Sequence, residues 1–275
     1  MTDVHTAYRA LGFSEAPFSI TPDTEFFFPT PQYVAALKHL RFGIESGGFT
    51  LLTAEVGLGK TLLCRQVLRT PHESRRIAYV LDPLQSYEAL LAALIRDLTG
   101  EMPEDRDPGA LLHQLHQVVL DLAQQGERVA IMVDEAHRLA PELLEGLRLL
   151  SNLETEKAKL VSLLLVGQPE LDKTLSLRAM RPLTQRISVR CHLHPFTLDE
   201  TRQYIRHRLR VAAPAGAFEF TGFATRVIHR ASKGVPRRIN QICDRALLLA
   251  FAQSRLYVNA WMAHRAAREV KGSWL

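Results

Sequence analysis

The amino-acid sequence predicts an α/β protein: a parallel sheet with helices on both faces, followed by a small all-helical domain. Three observations predict it. Short apolar runs alternate with helical patterns between residues 49 and 195, as successive strand–helix–strand units do. The first of these runs flows into a glycine-containing loop closed by Lys60-Thr61. After His194-Pro195-Phe196 the apolar period changes from that of strands to that of helices.

Taken in order, the first 48 residues interleave Tyr8, Phe13, Phe18, Phe26, Phe27 and Phe28 with Pro17, Pro22, Pro29 and Pro31. This predicts an irregular arm packed through its aromatics, with one amphipathic helix over 33–44 leading into the first strand. Strands are expected at 49–53, 77–82, 129–134, 160–166 and 187–193, each a short apolar run bounded by turn or polar residues. Helices are expected between them at 61–68, 86–98, 110–125 and 141–153, with the acidic stretch 100–108 a surface loop. The C-terminal helices are expected at 198–211, 222–231, 236–252 and 259–270. Thr197 with Glu200 forms a capping box, and Thr221 and Asn259 suit N-caps. The expected organisation is an arm and helix over 1–48, a core over 49–195 and a helical domain over 196–275, with the last five residues loose.

The chemistry concentrates in 54–62. Ala54-Glu55-Val56-Gly57-Leu58-Gly59-Lys60-Thr61-Leu62 follows an apolar strand and opens a helix, the context that a phosphate-binding P-loop requires. Backbone N–H groups of the loop and the helix start would wrap phosphates. Lys60 would reach the β- and γ-phosphates and Thr61 would hold Mg²⁺. The pattern GxxxxGK[ST] has Ala54 where its first glycine belongs; a positive φ there would cost alanine about 1 kcal/mol or more, a negative φ little. A second apolar run, 129–133, ends in Asp134-Glu135, as a Walker B strand does. Strand alternation lets one carboxylate order the Mg²⁺ shell and the other polarise water towards a γ-phosphate. The two motifs, in this order and on these elements, point to ATP or GTP binding. His137 makes the segment read Asp-Glu-Ala-His, as in DEAH-type helicases. Those need two RecA-like domains, so His137 is read as a helix-start residue near the turn.

Composition narrows the class. The N-terminal Met-Thr-Asp-Val-His has neither a basic nor an apolar leader region, and no apolar run reaches the ~18 residues that span a bilayer. A cytoplasmic protein without a transmembrane segment is expected. Cys64, Cys191 and Cys243 form no CxxC pair, so they read as small apolar core residues in a reducing compartment. His113, His116, His192 and His194 show no metal-ligand spacing. Residues 1–200 carry net −6 and residues 201–275 net +11. That basic quarter could attract nucleic acid, acidic lipid or an acidic protein face, or be a solvated helical surface.

The order of P-loop, Asp-Glu strand end, polar residue after the next strand, arginine and helical lid with Gly-x-Pro-Arg resembles the AAA+ ATPases, a P-loop NTPase family. Within them the chain is similar to the ExeA/GspA secretion ATPases and most of all to the MshM type, which serves MSHA pilus biogenesis. The residues that carry this are Leu11-Gly12-Phe13, Pro17-Phe18-Ser19-Ile20-Thr21-Pro22-Asp23, the run LRLLSNLETEK at 147–157, Gly167-Gln168-Pro169-Glu170-Leu171 and Gly234-Val235-Pro236-Arg237. The resemblance implies that Gln168 is the sensor touching the γ-phosphate or its water; the residues alone read equally as a polar strand end. It implies that Arg186 is the finger offered to a neighbouring subunit, with Arg178 and Arg181 as competitors. It implies that Arg237 is the lid sensor of the nucleotide, with Arg238 beside it.

The expected function is therefore ATP hydrolysis to ADP and phosphate in a homo-oligomeric ring, with a hexamer as one candidate size and with ATP and Mg²⁺ as cofactors. Inner-membrane secretion or pilus assembly proteins are the expected partners and would supply any peripheral membrane anchor. One alternative is a DNA-directed AAA+ ATPase using the basic lid. Another is a nucleotide-gated scaffold with little turnover.

Overall fold

The computed structural model describes residues 4–70, 74–81, 86–154, 159–213, 216 and 218–272. Asp82, residues 155–157 of the LRLLSNLETEK run and the last three C-terminal residues lie outside them. The chain divides into two compact units. One comprises Pro31–Val56 and Leu63–Leu193, the other Met1–Thr30, Gly57–Leu62 and His194–Leu275.

The first unit is a five-stranded parallel sheet with helices. Its elements are α2 (Pro31–Ser46), β1 (Gly48–Ala54), most of α3 (Lys60–Arg69), β2 (Arg75–Val80), α4 (Tyr87–Thr99), α5 (Pro108–Gln124), β3 (Arg128–Val133), α6 (Pro141–Leu150), β4 (Val161–Gly167), α7 (Glu170–Leu175), α8 (Arg181–Thr184) and β5 (Ile187–Leu193). The strands run in the order β2-β3-β4-β1-β5. β4 pairs with β1 on one side (Thr53↔Gly167) and with β3 on the other (Val133↔Leu165). All seven residues of β1 and of β4 are buried, which is why both read as apolar runs, interrupted only by Thr50 and Thr53 in β1 and by Ser162 in β4. Each fully buried Leu of β4 contributes about 1.5–3 kcal/mol. Helix ends are marked chemically. Ser86 caps α4 and Gly100 ends it at φ 83°; Asp107 caps α5, with Pro108 in its first turn. The stretch before Asp107 is an exposed loop, as its acidic composition implies.

The second unit joins the N-terminal arm to the C-terminal helices. It contains α1 (Val4–Ala10), α9 (Leu198–Ala212), α10 (Gly222–Ser232), α11 (Pro236–Ala252), α12 (Ala260–Gly272) and two short parallel strands, β6 (Glu219–Phe220) and β7 (Tyr257–Val258). The capping box of Thr197 and Glu200 and the N-cap of Thr221 are present, and Asn259 Oδ1 accepts the Met262 N–H. Two expectations are corrected. The arm opens with a helix, α1, too short for its period to register, and the C-terminal region holds β6 and β7, whose two-residue length leaves no alternation to read.

The arm's aromatics pack as expected. Phe13 meets Phe218, Phe18 meets Phe220, and Phe28 meets Phe196 and Tyr204, at centroid distances of 5.6, 5.7, 6.2 and 6.0 Å. Arg208, 4% exposed, donates to the Pro17 and Ser19 carbonyls at 2.5 and 3.0 Å, and its guanidinium lies 4.2 Å from the Phe26 ring centroid. Carbonyl dipoles and a π face thus satisfy a buried charge. Asn240 donates to the same Ser19 carbonyl while accepting from the Tyr204 hydroxyl.

Two predictions follow from this unit's packing. Gly234 has φ +74°, and a Cβ there would lie 2.1 Å from the Phe196 carbonyl oxygen. Gly234→Ala should cost about 2–4 kcal/mol in urea unfolding; a loss under 1 kcal/mol would contradict the fit. The Tyr8 hydroxyl donates to the Asp244 carboxylate, and burial pushes the Asp244 carboxyl above its ordinary 3.8, against the pull of Tyr8 and Arg245. A raised folded value means that the linked stability is complete below the unfolded value and is lost as pH rises through the folded one. Asp244→Asn removes that loss, so stability measured across pH should shift in the variant's favour from pH 3.8 upward and then level off. Parallel pH profiles would refute this.

Candidate functional site

The phosphate-loop residues follow β1 directly. Ala54 is the last residue of that strand, paired with Leu193, fully buried and outside the set of positive-φ residues. Alanine therefore meets no left-handed backbone strain at this position. The left-handed turns are made further on, by Gly57 at φ 84° and Gly59 at φ 82°. A Cβ on Gly57 would lie 2.9 Å from that of Arg237 and 3.1 Å from Val235 Cγ1, so the loop needs glycine there for space as well as angle. Lys60 begins α3 and is buried; Glu55 and Val56 are exposed, Leu58 is buried, and Thr61 and Leu62 are intermediate.

Within the same unit, the loop meets the start of α11. The Arg237 N–H donates to the Gly57 carbonyl at 3.2 Å. An N–H of a helix's first turn has no partner inside the helix; here the loop supplies one. Pro236 occupies the first turn, where no donor is needed. Gly234 allows the chain to cross the Phe196 backbone, whose N–H donates to the Gly234 carbonyl at 2.9 Å. Gly-Val-Pro-Arg is thus a fitted turn, and it leaves the Arg237 side chain exposed.

In the sheet unit the carboxylates stand where β3 ends. Asp134 is completely buried. Its N–H donates to the Val80 carbonyl at 2.9 Å, Oδ1 accepts the Glu135 N–H at 2.9 Å, and Oδ2 accepts from the Tyr79 hydroxyl at 3.3 Å. Burial first, then the nearby Cys64 and Asp134, push the Tyr79 phenol well above its usual range, so it remains a neutral donor. Glu135 adopts φ 52°, a left-handed backbone that costs a non-glycine residue about 1–2 kcal/mol. The turn Ala136–Arg138 follows. Gly167 lets it close against the end of β4, since a Cβ there would lie 3.1 Å from the His137 backbone nitrogen.

That closure brings Gln168, just past β4, onto His137. The Gln168 N–H lies 3.3 Å from His137 Nδ1, and the side-chain amide lies 2.8 Å from Nε2. His137 Nε2 is also 3.5 Å from Glu135 Oε2. Glu135, His137 and Gln168 therefore form one cluster at the ends of two adjacent strands. The sequence reading missed Tyr79, which the register with Met132 brings in, and the contacts of His137, which the close approach at Gly167 allows.

Arg186 is engaged elsewhere. Its Nη1 donates to the Arg148 carbonyl, Ser151 Oγ and Asn152 Oδ1 at 3.3, 2.8 and 2.6 Å, closing the C-terminal turn of α6. Arg178 and Arg181 are exposed. His192 Nδ1 pairs with Thr53 Oγ1 at 2.9 Å across β1 and β5. Among the described residues no group of three His, Cys, Asp or Glu side chains could hold a metal. The Asp134 carboxylate and the Thr61 hydroxyl are donors of the oxygen type that Mg²⁺ takes.

Comparisons with known proteins agree with this fold. Residues 44–175 match the family described as an AAA domain. The chain is 41% identical over 264 residues to General secretion pathway protein A of Aeromonas hydrophila, an alignment covering 95% of this chain and 48% of that one. It thus spans about half the length of that curated relative. Among solved structures it resembles the Aeropyrum pernix ORC2 protein in its ADPNP-ADP complexes, with TM-score 0.69 and 18% identity over 94% of this chain and 72% of that one. It also resembles the Thermotoga maritima RuvB Holliday junction branch migration motor, with TM-score 0.57 and 19% identity over 86% and 66%. With its strand order, glycine loop and Asp-Glu strand end, the chain has the P-loop NTPase fold of the AAA+ ATPases.

Proposed function

We propose that the chain hydrolyses ATP to ADP and phosphate within a homo-oligomer that serves a cell-envelope secretion or type IV pilus system. The observation that carries the reading is the placement of β4 between β1 and β3, which sets Gln168 beside the Asp-Glu end of β3. The 41% identity to a general secretion pathway protein supports the envelope role, with inner-membrane assembly proteins as the proposed partners. MSHA-like pilus assembly is the narrower form of the same proposal.

In this reading Glu55, Val56, Gly57, Leu58, Gly59, Lys60, Thr61 and Leu62 bind the phosphates, chiefly through backbone N–H groups and the Lys60 ammonium. Thr61 and Asp134 would hold Mg²⁺, which when bound would offset the negative charge of the phosphates. Glu135 orients and polarises the attacking water, Gln168 fixes the water or the γ-phosphate, and Arg237 senses the nucleotide from the lid. Arg186 is the proposed trans arginine, and to serve it must leave its three acceptors at the end of α6. Arg178 and Arg181 need no such release.

The test is turnover against protein concentration. Phosphate release per chain should rise with concentration as composite sites form. Glu135→Gln should lower kcat by about 10²-fold or more while Mg-ATP still binds. Arg186→Ala should lower it by about 10³-fold. Turnover in Glu135→Gln equal to wild type would remove the role given to the glutamate. A loss confined to Arg178→Ala or Arg181→Ala would move the trans role to that residue.

A second reading is favoured by the basic face of α10. Arg226, His229, Arg230 and Lys233 line an open groove of about 530 Å³, in a quarter of the chain with net charge +11. As a DNA-directed ATPase the chain would bind duplex DNA with an affinity that falls steeply with salt, and DNA would stimulate turnover. Binding indifferent to salt, with unchanged turnover, would exclude this reading.

A further inference from the structure

The second residue past Glu135 has no role in the reaction just described, yet its ring touches two groups that do. His137 is 12% exposed at its side chain, and its nitrogens face different partners. The Gln168 backbone N–H can only donate, and it points at Nδ1 from 3.3 Å. Nδ1 must therefore be bare, and the neutral ring carries its single proton on Nε2. An amide NH₂ facing that N–H at 2.8 Å would set donor against donor. The Gln168 amide consequently presents Oε1 to the ring, because carbonyl and amino ends are exchanged by a half-turn. Its NH₂ is then turned away from the histidine and is free to donate elsewhere. The same Nε2 lies 3.5 Å from Glu135 Oε2, so its proton has two acceptors within reach.

We propose that His137 is a positioning residue: through a fixed Nε2–H tautomer it orients the Gln168 amide as a donor and links its placement to that of the Glu135 carboxylate. The proposal rests on the ATPase reading for its consequence, but not for its geometry. The backbone supports it from both sides. Glu135 is held in a left-handed conformation, and Gly167 admits the turn that carries His137. Neither Glu135 nor Gln168 needs to move for the ring to serve either of them. A ring that loses Nε2–H releases the amide, which can then present either end, and frees the glutamate side chain to sample other rotamers.

Two experiments test this. On the nucleotide-free protein, two-bond ¹H–¹⁵N correlations of the His137 ring should show a protonated Nε2 and a bare Nδ1. A predominant Nδ1–H tautomer would overturn the proposal without reference to turnover. In steady-state kinetics, His137→Ala should lower kcat about tenfold with KM for ATP changed less than about twofold. His137→Gln, whose amide N–H can replace Nε2–H, should recover most of that loss. His137→Asn can replace only the Nδ1 acceptor; it should keep the melting temperature and leave kcat low. Adding Gln168→Ala to His137→Ala should cost little more than either change alone. An unchanged kcat in His137→Ala, rescue by Asn instead of Gln, or full additivity with Gln168→Ala would each overturn it. A wild-type protein without turnover would strike the ATPase reading instead, and the tautomer measurement would then decide the role of His137.

Discussion

Parallel pairing of β4 on both of its edges is the constraint on which the sheet unit depends. A strand hydrogen-bonded to β1 and β3 at once, with every residue buried, has no edge to fray and no solvent face to absorb an error. Sliding it by one residue would exchange its two apolar faces and carry Gln168 away from the turn after β3. Stability and chemistry are thus set by the same register. The leucines that contribute the burial energy are those that fix, residue for residue, which polar groups emerge beside the Asp-Glu pair.

The helical unit solves a different problem. Its N-terminal arm is mostly irregular, so its backbone groups need partners outside themselves. Arg208 and Asn240 provide them, reaching the Pro17 and Ser19 carbonyls from α9 and α11. The arm's aromatic rings fill the space beside those helices. The arm therefore takes its shape from side chains nearly two hundred residues away, and its proline-rich composition lowers the entropy lost in adopting it.

Such dependence explains what could be read in advance. Elements longer than about two turns or four strand residues carry a period, and all five sheet strands and the long helices were legible from it. β5 and α11 have the boundaries expected of them. α1, α7 and α8 have seven, six and four residues, and β6 and β7 have two each; elements so short owe their form to neighbours. The same division holds at the site. Motif spacing singles out Lys60, Thr61, Asp134 and Glu135 as candidates because each lies in one loop or at one strand end. Tyr79 and His137 acquire their contacts through register and through a glycine at the end of another strand, and Arg186 finds its partners at the end of α6. No linear spacing encodes those meetings.

Ala54 carries a consequence for how phosphate loops are defined. Here the methyl group lies inside a strand, and the unusual backbone angles begin three residues later, at Gly57. In this chain the turn therefore places no demand for glycine at the head of the consensus. A definition built on dihedral angles would retain this chain, where one that demands the first glycine would discard it. Chains with a small residue at that point, rejected on spelling alone, belong back among the candidates.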